Sequence, residues 1–527
     1  MNITKNHIMK KLPIGISTLE KIRNENFVYI DKTHHVANLF NSGGRYYFLS
    51  RPRRFGKSLF IDTLKQAFLG RKDLFAGLYL ENNWDWDKQY PVLHFSFGEG
   101  NLASLDELNS KINRFLDEYY LRYAVENLYT EVSSRFAYLI EQIAKNHAPA
   151  VVLIDEYDKP ILDNITNSVV ASAMRNGLRN FYSVIKTQDA NLKFAMLTGV
   201  SKFSKVSLFS DLNNLDDLTL DPNFADICGY TQLELEATFA EYLVDGKVDK
   251  NELKRWYNGY NFGGREEQKV YNPFDVLLFF NKNYEYRNYW FETATPSFLV
   301  KLILAKAYYF PNLTGIIVSA DLLSNFDVDN IPISTLLFQT GYLTIQEVIH
   351  EIDGVYYRLS YPNFEVRTSL NRTLSQVGVS VEDYSNNRQF LARALRNNEF
   401  DLVGQSLVSH FASIPHDWYR NNKIANYEGF YASVVYSYLA ALGYDLIAED
   451  VTNHGKIDLT LNMPDKIIIL EFKLAKYGSA AEAIEQIKTR NYAAKYLASG
   501  KPIYLLGISF DETIRNIAEI ISEEFHP

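Results

Sequence analysis

Two groups of residues in this sequence have the types and spacing for phosphate chemistry. The first is Arg51–Ser58, RPRRFGKS, which follows the apolar run Tyr46–Ser50 (YYFLS) and precedes LFIDTLKQAFL, a run with helical spacing. A strand, a loop ending in Gly-Lys-Ser and a helix bind phosphate through loop amides and the helix N-terminus; the lysine reaches the β/γ oxygens and the serine hydroxyl ligates Mg²⁺. Arg53, Arg54, Gly56, Lys57 and Ser58 are thereby the candidate nucleotide contacts, with Ser58 also on the metal. The strict pattern has glycine six residues before the lysine, where this chain has Arg51. The complementary half is Val151–Asp158, VVLIDEYD, an apolar strand ending in an acid pair. Asp155 would hold Mg²⁺ through water, and Glu156 would orient and deprotonate the attacking water. Thr198, ending the run Phe194–Thr198 (FAMLT), would sit beside the γ-phosphate, and Arg175, Arg179 and Lys202 are candidates for a charge-neutralising finger.

The second group is Asp458, Glu471 and Lys473 near the C-terminus. Residues two apart on a strand share a face, so LEFKL presents Glu471 and Lys473 together, with Phe472 buried behind them. The 13 positions from Asp458 to Glu471 allow a hairpin that sets the two carboxylates side by side. Neighbouring carboxylates favour a divalent cation, and a lysine beside them can position a metal-bound water for attack on phosphorus. Glu428 adds an acid from the preceding helix, and Gln486 and Tyr492 reach in from the following one. A solvated strand would alternate in polarity, whereas IIILEFK is apolar nearly to its end, so its charges need a partner or a purpose. The catalytic candidates are Glu156, Glu428, Asp458, Glu471, Lys473 and Gln486, and the metal-ligand candidates are Ser58, Asp155, Asp458 and Glu471.

These side chains need elements to hold them. Residues 45–240 alternate short apolar runs (Tyr46–Ser50, Val92–Phe97, Val151–Ile154, Phe194–Thr198) with helical spacing, which predicts a parallel sheet covered on both faces. From about 230 to 375 the pattern is helical with turn clusters, followed by two strand-like runs around Asp353–Gly354: a helical lid and a winged-helix-like module. Ser385–Arg388 (SNNR) reads as a linker. A second α/β pattern then runs through helix Tyr427–Leu442, strands Asp445–Asp450, Ile457–Leu461 and Lys466–Phe472, helix Ala480–Leu497 and strand Pro502–Ile508. The expected domains are 1–230, 231–385 and 386–527.

Composition narrows the class. With 527 residues, 47 % hydrophobic and 22 % charged, the chain is globular material for several domains. Its net charge of −9 argues against a uniformly basic coat for nucleic acid and leaves room for a local basic channel; Lys10, Lys11, Arg51, Arg53 and Arg54 are the densest basic groups. Cys228, the single cysteine, excludes an intramolecular disulfide and any CxxC metal site, and suits a reducing compartment. The greasiest stretch, Ser297–Phe310, is too short and too charged to span a membrane, so a cytoplasmic protein is expected. His34 and His35, after an Asp-Lys-Thr turn, and His454 are expected on the surface.

The ordered series LPIGISTLEKI, FVYIDKT, YYFLSRPRRFGKSLFIDTLKQAFLG, VVLIDEYDKPI, LTGVSKFSKVSLFSDLNNL, WYNGYNFGG and VYNPFDVLLFF resembles the bacterial AAA-ATPase-like family. Members typically pair that P-loop domain with a C-terminal PD-(D/E)XK-superfamily nuclease domain. The order Glu428, Asp458, Glu471-x-Lys473, Gln486 is similar to that superfamily's site, with Ile457-Asp458 standing for its Pro-Asp pair. The resemblance implies ATP as ligand and a phosphate loop for which the Arg-Pro-Arg-Arg-x-Gly-Lys-Ser form is usual. The expectation is an ATP-binding protein, with hydrolysis expected, carrying a Mg²⁺-dependent nuclease domain that acts on DNA ahead of RNA, in defence or mobile-element biology. Mn²⁺ is the alternative ion at the nuclease site, self-association is left open, and no membrane partner is expected. Two other readings stand beside it: a nucleotide-switch regulator, and a protein-remodelling ATPase whose C-terminal domain binds without cutting.

Overall fold

The computed structural model describes residues 9–526 apart from 166, 203–214, 244–245, 295–312, 325–331, 377–380 and 415–427. Tyr427 and the stretch Ser297–Phe310 thus lie outside the described residues. The chain divides into two compact units, Met1–Ala294 with Gly315–Asn363, and Thr295–Thr314 with Phe364–Pro527.

The first unit is built on β1 (Tyr46–Ser50), β2 (Val92–Ser96), β3 (Ala150–Asp155), β4 (Leu192–Gly199) and β5 (Asp216–Asp217). Their spatial order is β2-β3-β4-β1-β5, with every neighbouring pair parallel. A parallel sheet covered on both faces needs strands without polar alternation, and β1 and β3 are buried at every position. Registers Ser50↔Gly199 and Ser96↔Asp155 bring four strands to a common carboxyl edge, where open α/β sheets place ligands.

The covering helices are α1 (Thr33–Asn41), α2 (Lys57–Phe68), α3 (Leu105–Arg122), α4 (Val132–Asn146) and α5 (Ser168–Thr187). In α4, Phe136, Leu139, Ile140 and Ile143 form the i, i+3, i+4, i+7 stripe that faces a core. Phe136 stacks on Phe181 of α5 at 4.6 Å and meets Phe95 of β2 at 5.2 Å, so truncating it to alanine should cost about 3–5 kcal/mol.

The helical middle packs Leu235, Phe239, Leu253, Tyr257, Val276 and Phe280 against Val28 and Ile30 from the N-terminal segment. Two short strands, β6 (Tyr230–Thr231) and β7 (Val270–Tyr271), pair antiparallel beside it. Beyond lies a sheet of β8 (Ile316–Ser319), β9 (Thr344–Glu351) and β10 (Gly354–Ser360) in the order β8-β10-β9. β9 and β10 form the expected hairpin around Asp353–Gly354.

In the second unit, β11 (Asp445–Thr452), β12 (Gly455–Asn462), β13 (Ile467–Leu474), β14 (Ile503–Asp511) and β15 (Asn516–Glu524) lie in sequence order. Only β13 and β14 are parallel, as the crossover through α9 (Ala480–Thr489) between them requires. The helices α6 (Val381–Asn397), α7 (Phe400–Ala412) and α8 (Glu428–Ala440) precede the sheet. Ile467, Ile469 and Leu505 pack under Ile484 and Ile487 of α9, while Phe510 stacks on Tyr431 of α8 at 4.7 Å and meets Phe472 at 5.7 Å. Helices thus cover both faces.

Three expectations need correction. Ser385–Arg388 is not a linker but part of α6, because Tyr384, Leu391, Ala394 and Leu395 give that segment a buried helical stripe; Asn387 and Arg388 fall on the same face, where the Asn387 carbonyl accepts from Ser406 Oγ of α7 at 3.3 Å. The helix from Ala480 ends at Thr489, and Asn491 takes a left-handed φ of 49° before a 3₁₀ segment Tyr492–Ser499. An edge strand, β15, follows β14 where Ile and Glu mix without clear alternation.

Candidate functional sites

At the carboxyl edge of the first sheet, Gly56 takes φ +97° and Lys57 opens α2. A side chain is disfavoured at such a φ, so glycine here lets the loop turn directly into the helix. The Lys57 side chain folds back over the loop, its Nζ donating to the carbonyls of Arg51 (2.8 Å) and Pro52 (2.9 Å). Burial pulls its pKa below the usual lysine range, opposed chiefly by Asp155. Asp155 Oδ1 accepts from the Thr198 hydroxyl (2.7 Å) and the Glu156 amide (3.0 Å). Glu156 holds a left-handed φ of 53°, a conformation that costs a non-glycine residue about 1–3 kcal/mol and gathers at functional sites. Burial, then the Asp155 charge, raises its carboxyl above the ordinary value. Gly98 gives it room: a Cβ there would stand 3.2 Å from Glu156 Oε2. Two residues on, Asp158 is fully buried and accepts from the amides of Val200 (3.1 Å) and Ser201 (2.7 Å), tying the end of β3 to the end of β4.

Gly56, Lys57, Gly98 and Glu156 border a cavity of about 510 Å³, whose lining does not include Asp155, Asp158 or Thr198. Its lining includes the polar residues Arg53, Arg54, Lys57, Ser58 and Glu156 and the apolar or aromatic residues Ile16, Val28, Tyr29, Ile227, Tyr230 and Phe274. The Arg54 guanidinium lies over the Phe274 ring at 5.0 Å.

Arg51 does not face the cavity. It is fully buried, donating from Nη1 to the Ser50 and Thr219 carbonyls (2.8 and 2.9 Å) and from Nη2 to Phe224 O (2.9 Å), with its guanidinium over Phe262 at 4.1 Å. Burial brings its pKa down to about 10. The backbone there keeps a negative φ, so this loop does not need glycine's freedom at its first position.

Of the finger candidates, Lys202 is buried in an ion pair with Asp217, and its amide donates to Gln339 Oε1 at 2.9 Å. Arg175 and Arg179 lie on α5 and do not line the cavity.

In the second unit the β12–β13 ladder pairs through Leu459↔Leu470 and then opens into a fork. Beyond that point carboxylates take the amides of the opposite strand: Asp458 Oδ2 accepts from Phe472 N (2.7 Å), and Glu471 Oε2 lies 3.5 Å from Asp458 N. Lys473 Nζ stands 3.8 Å from Glu471 Oε1, which also accepts from Gln486 Nε2 on α9. Phe472 points to the opposite face and is buried. Burial, then the Asp458 charge, pushes Glu471 up to about 8. Asp458 is raised by burial against the pull of the Phe472 amide and Lys473, and Glu428 by burial and Asp458. Glu428 therefore belongs to the same electrostatic group. Tyr492 is buried against Gln486 and Gly455, where a Cβ would stand 2.9 Å from its hydroxyl.

One acid was missed. The registers Ala448↔Leu459 and Asp450↔Ile457 put Glu449 opposite Asp458, with a left-handed φ of 47° and a charge that raises the Asp458 pKa. Nothing local marks it, because only strand register brings the two together.

The family model described as "Predicted AAA-ATPase" matches residues 13–209, and that of the PD-(D/E)XK nuclease superfamily matches residues 426–520. A protein of Azotobacter chroococcum mcd 1, "Uncharacterized protein in vnfD 5'region", is 47 % identical over 518 residues, which is 98 % of this chain and 99 % of its own length. The chain belongs to this AAA-ATPase-like family and carries a PD-(D/E)XK-superfamily domain.

In this AAA-ATPase-like chain the histidines divide. His454 is exposed in the turn between β11 and β12, as expected. His35 is not on the surface: α1 turns it inward with Val36 and Leu39, leaving it 2 % exposed with Nε2 3.2 Å from Asp226 Oδ1. His34 is half-buried beside it. Among the described residues no helix is long and apolar enough to cross a membrane.

Proposed function

We propose that the chain binds and hydrolyses ATP–Mg²⁺ in the cavity at Lys57 and cleaves nucleic-acid phosphodiesters, DNA ahead of RNA, at the β12–β13 fork. The observation that carries the reading is the fork itself: two facing acids with raised pKa values, a lysine on the same face as one of them, and a glutamine holding that same acid. Such acids are neutralised by protons or by a cation, and an oxygen-only donor set suits Mg²⁺ or Mn²⁺. Asp458 and Glu471 would hold the ion, which when bound supplies a water of lowered pKa and a charge for the phosphoryl oxygens. Lys473 orients the attacking water, Gln486 fixes the Glu471 carboxylate, and Glu428 adds negative charge on the side of Asp458.

In the nucleotide site, Lys57 would exchange its two loop carbonyls for β/γ-phosphate oxygens. Ser58 and Asp155 are the metal-side groups, with Thr198 steadying Asp155. Glu156, whose raised pKa improves it as a base, orients the water and takes its proton. The apolar and aromatic residues of the cavity lining suit a purine base.

The test is cleavage of plasmid and single-stranded DNA in Mg²⁺ or Mn²⁺, with and without ATP. Cleavage by the unaltered chain that Asp458→Ala abolishes is expected; no cleavage under any condition overturns the nuclease half. A switch that holds nucleic acid without cutting is the second reading. It is favoured by the capped Lys57 and by an Arg51 brace running from the loop to Thr219 and Phe224.

A further inference from the structure

We propose that His34, His35 and Asp226 form a binding site for a divalent transition-metal ion of the zinc class. One ligand atom from each of the three lies within 4.8 Å of the others. His35 is 2 % exposed, and its Nδ1 makes no hydrogen bond with a described residue. Its Nε2 faces Asp226 Oδ1 at 3.2 Å, an ion pair when the imidazole is protonated. A buried ring nitrogen without a partner, as Nδ1 is, costs about 1–3 kcal/mol. The 3.2 Å spacing also matches a ligand–ligand edge: two donors on a tetrahedral ion with bonds of about 2.0–2.1 Å stand about 3.3 Å apart.

The two histidines follow each other on the first turn of α1, and their rings lie 4.0 Å apart with a tilt of 39°. Tyr79 stands edge-on to His34 at 6.2 Å and Phe224 borders His35 at 5.7 Å, so aromatic walls limit how the imidazoles can turn. His34 and Asp226 are partly exposed, which leaves an entry path. The nearby positive charge of Lys32 is matched by Glu234, whose Oε1 lies 2.6 Å from Nζ. Two imidazoles and one carboxylate select zinc, cobalt or nickel over magnesium and calcium, and three protein ligands leave a fourth position for water. The ion would join α1 to the segment that follows Phe224, whose Ile227 and Cys228 line the cavity described above. The site does not depend on what that cavity binds.

Cobalt(II) is the probe, titrated into the full chain carrying Asp458→Ala and Glu471→Ala so that the oxygen-donor fork does not compete. One equivalent with the visible bands of tetrahedral cobalt, displaced by zinc, is expected. His34→Ala and Asp226→Asn should each abolish those bands while circular dichroism stays unchanged. Two variants are used so that a folding failure in one leaves the other decisive. Absence of the bands in the parent chain, or their persistence in either folded variant, overturns the site.

Discussion

The nucleotide cavity and the β12–β13 fork both bring a lysine near buried acids, yet they differ in what that lysine touches. At the cavity most central groups have a partner, Lys57 on two carbonyls, Asp155 on Thr198 and Asp158 on two amides, while burial and the Asp155 charge raise the Glu156 carboxyl. In the fork the acids outnumber the nearby cation, and their pKa values rise together. In the first site a ligand must displace the bonds that Lys57 already makes. The second carries an excess of negative charge that a cation would relieve, so it should be the more sensitive to metal and to pH.

The largest effect that tests this contrast is Lys473→Ala. Loss of one preorganised electrostatic group should lower cleavage by about 10²–10³-fold while metal binding, followed by calorimetry, survives; loss of the metal instead would make Lys473 structural. Lys57→Ala should weaken ATP binding on the order of 10–100-fold, the value of charge-assisted bonds to phosphate, without altering metal binding in the fork. Unchanged ATP affinity would remove Lys57 from the site. Gln486→Ala frees the Glu471 carboxylate and should weaken the divalent cation by about 10–100-fold at most, the range for a group that orients a ligand. Equal loss in Gln486→Ala and Asp458→Ala would make the glutamine a direct contact.

The smallest effect is on stability. Glu471 has its folded pKa near 8 against an ordinary 4.5, so the folded state holds the proton more tightly. Its contribution is fully present below about pH 4.5 and is lost as pH rises through 8. In metal-free protein the melting temperature should fall across that window, and Glu471→Gln should flatten the fall. Added Mg²⁺ should restore stability at the alkaline end. A flat profile in the unaltered chain would mean that Glu471 is already ionised.

Local sequence was informative where one element carries the whole signal. YYFLS forms β1 with the bounds its apolar run implied, and β3 extends VVLI by one residue at each end, because a buried parallel strand writes its burial in consecutive side chains. The shared face of Glu471 and Lys473 follows from the two-residue period of a strand, and the opening of α2 at Lys57 from Gly56 before a helical run. Other features depended on partners distant in sequence. Arg51 reads as a defect in a phosphate loop until Thr219, Phe224 and Phe262 close around it. Ser385–Arg388 reads as a linker until the stripe on either side makes it helix, and Glu449 becomes relevant only when register sets it against Asp458. His35 reads as surface until Asp226 and Phe224 cover it. Sequence alone determined the strands, the loop-to-helix junction and the chemical types at each site, because periodicity and backbone preference are local. Only the tertiary structure decided which charges are satisfied and which remain in excess, because burial and pairing belong to groups that meet only after the chain has folded.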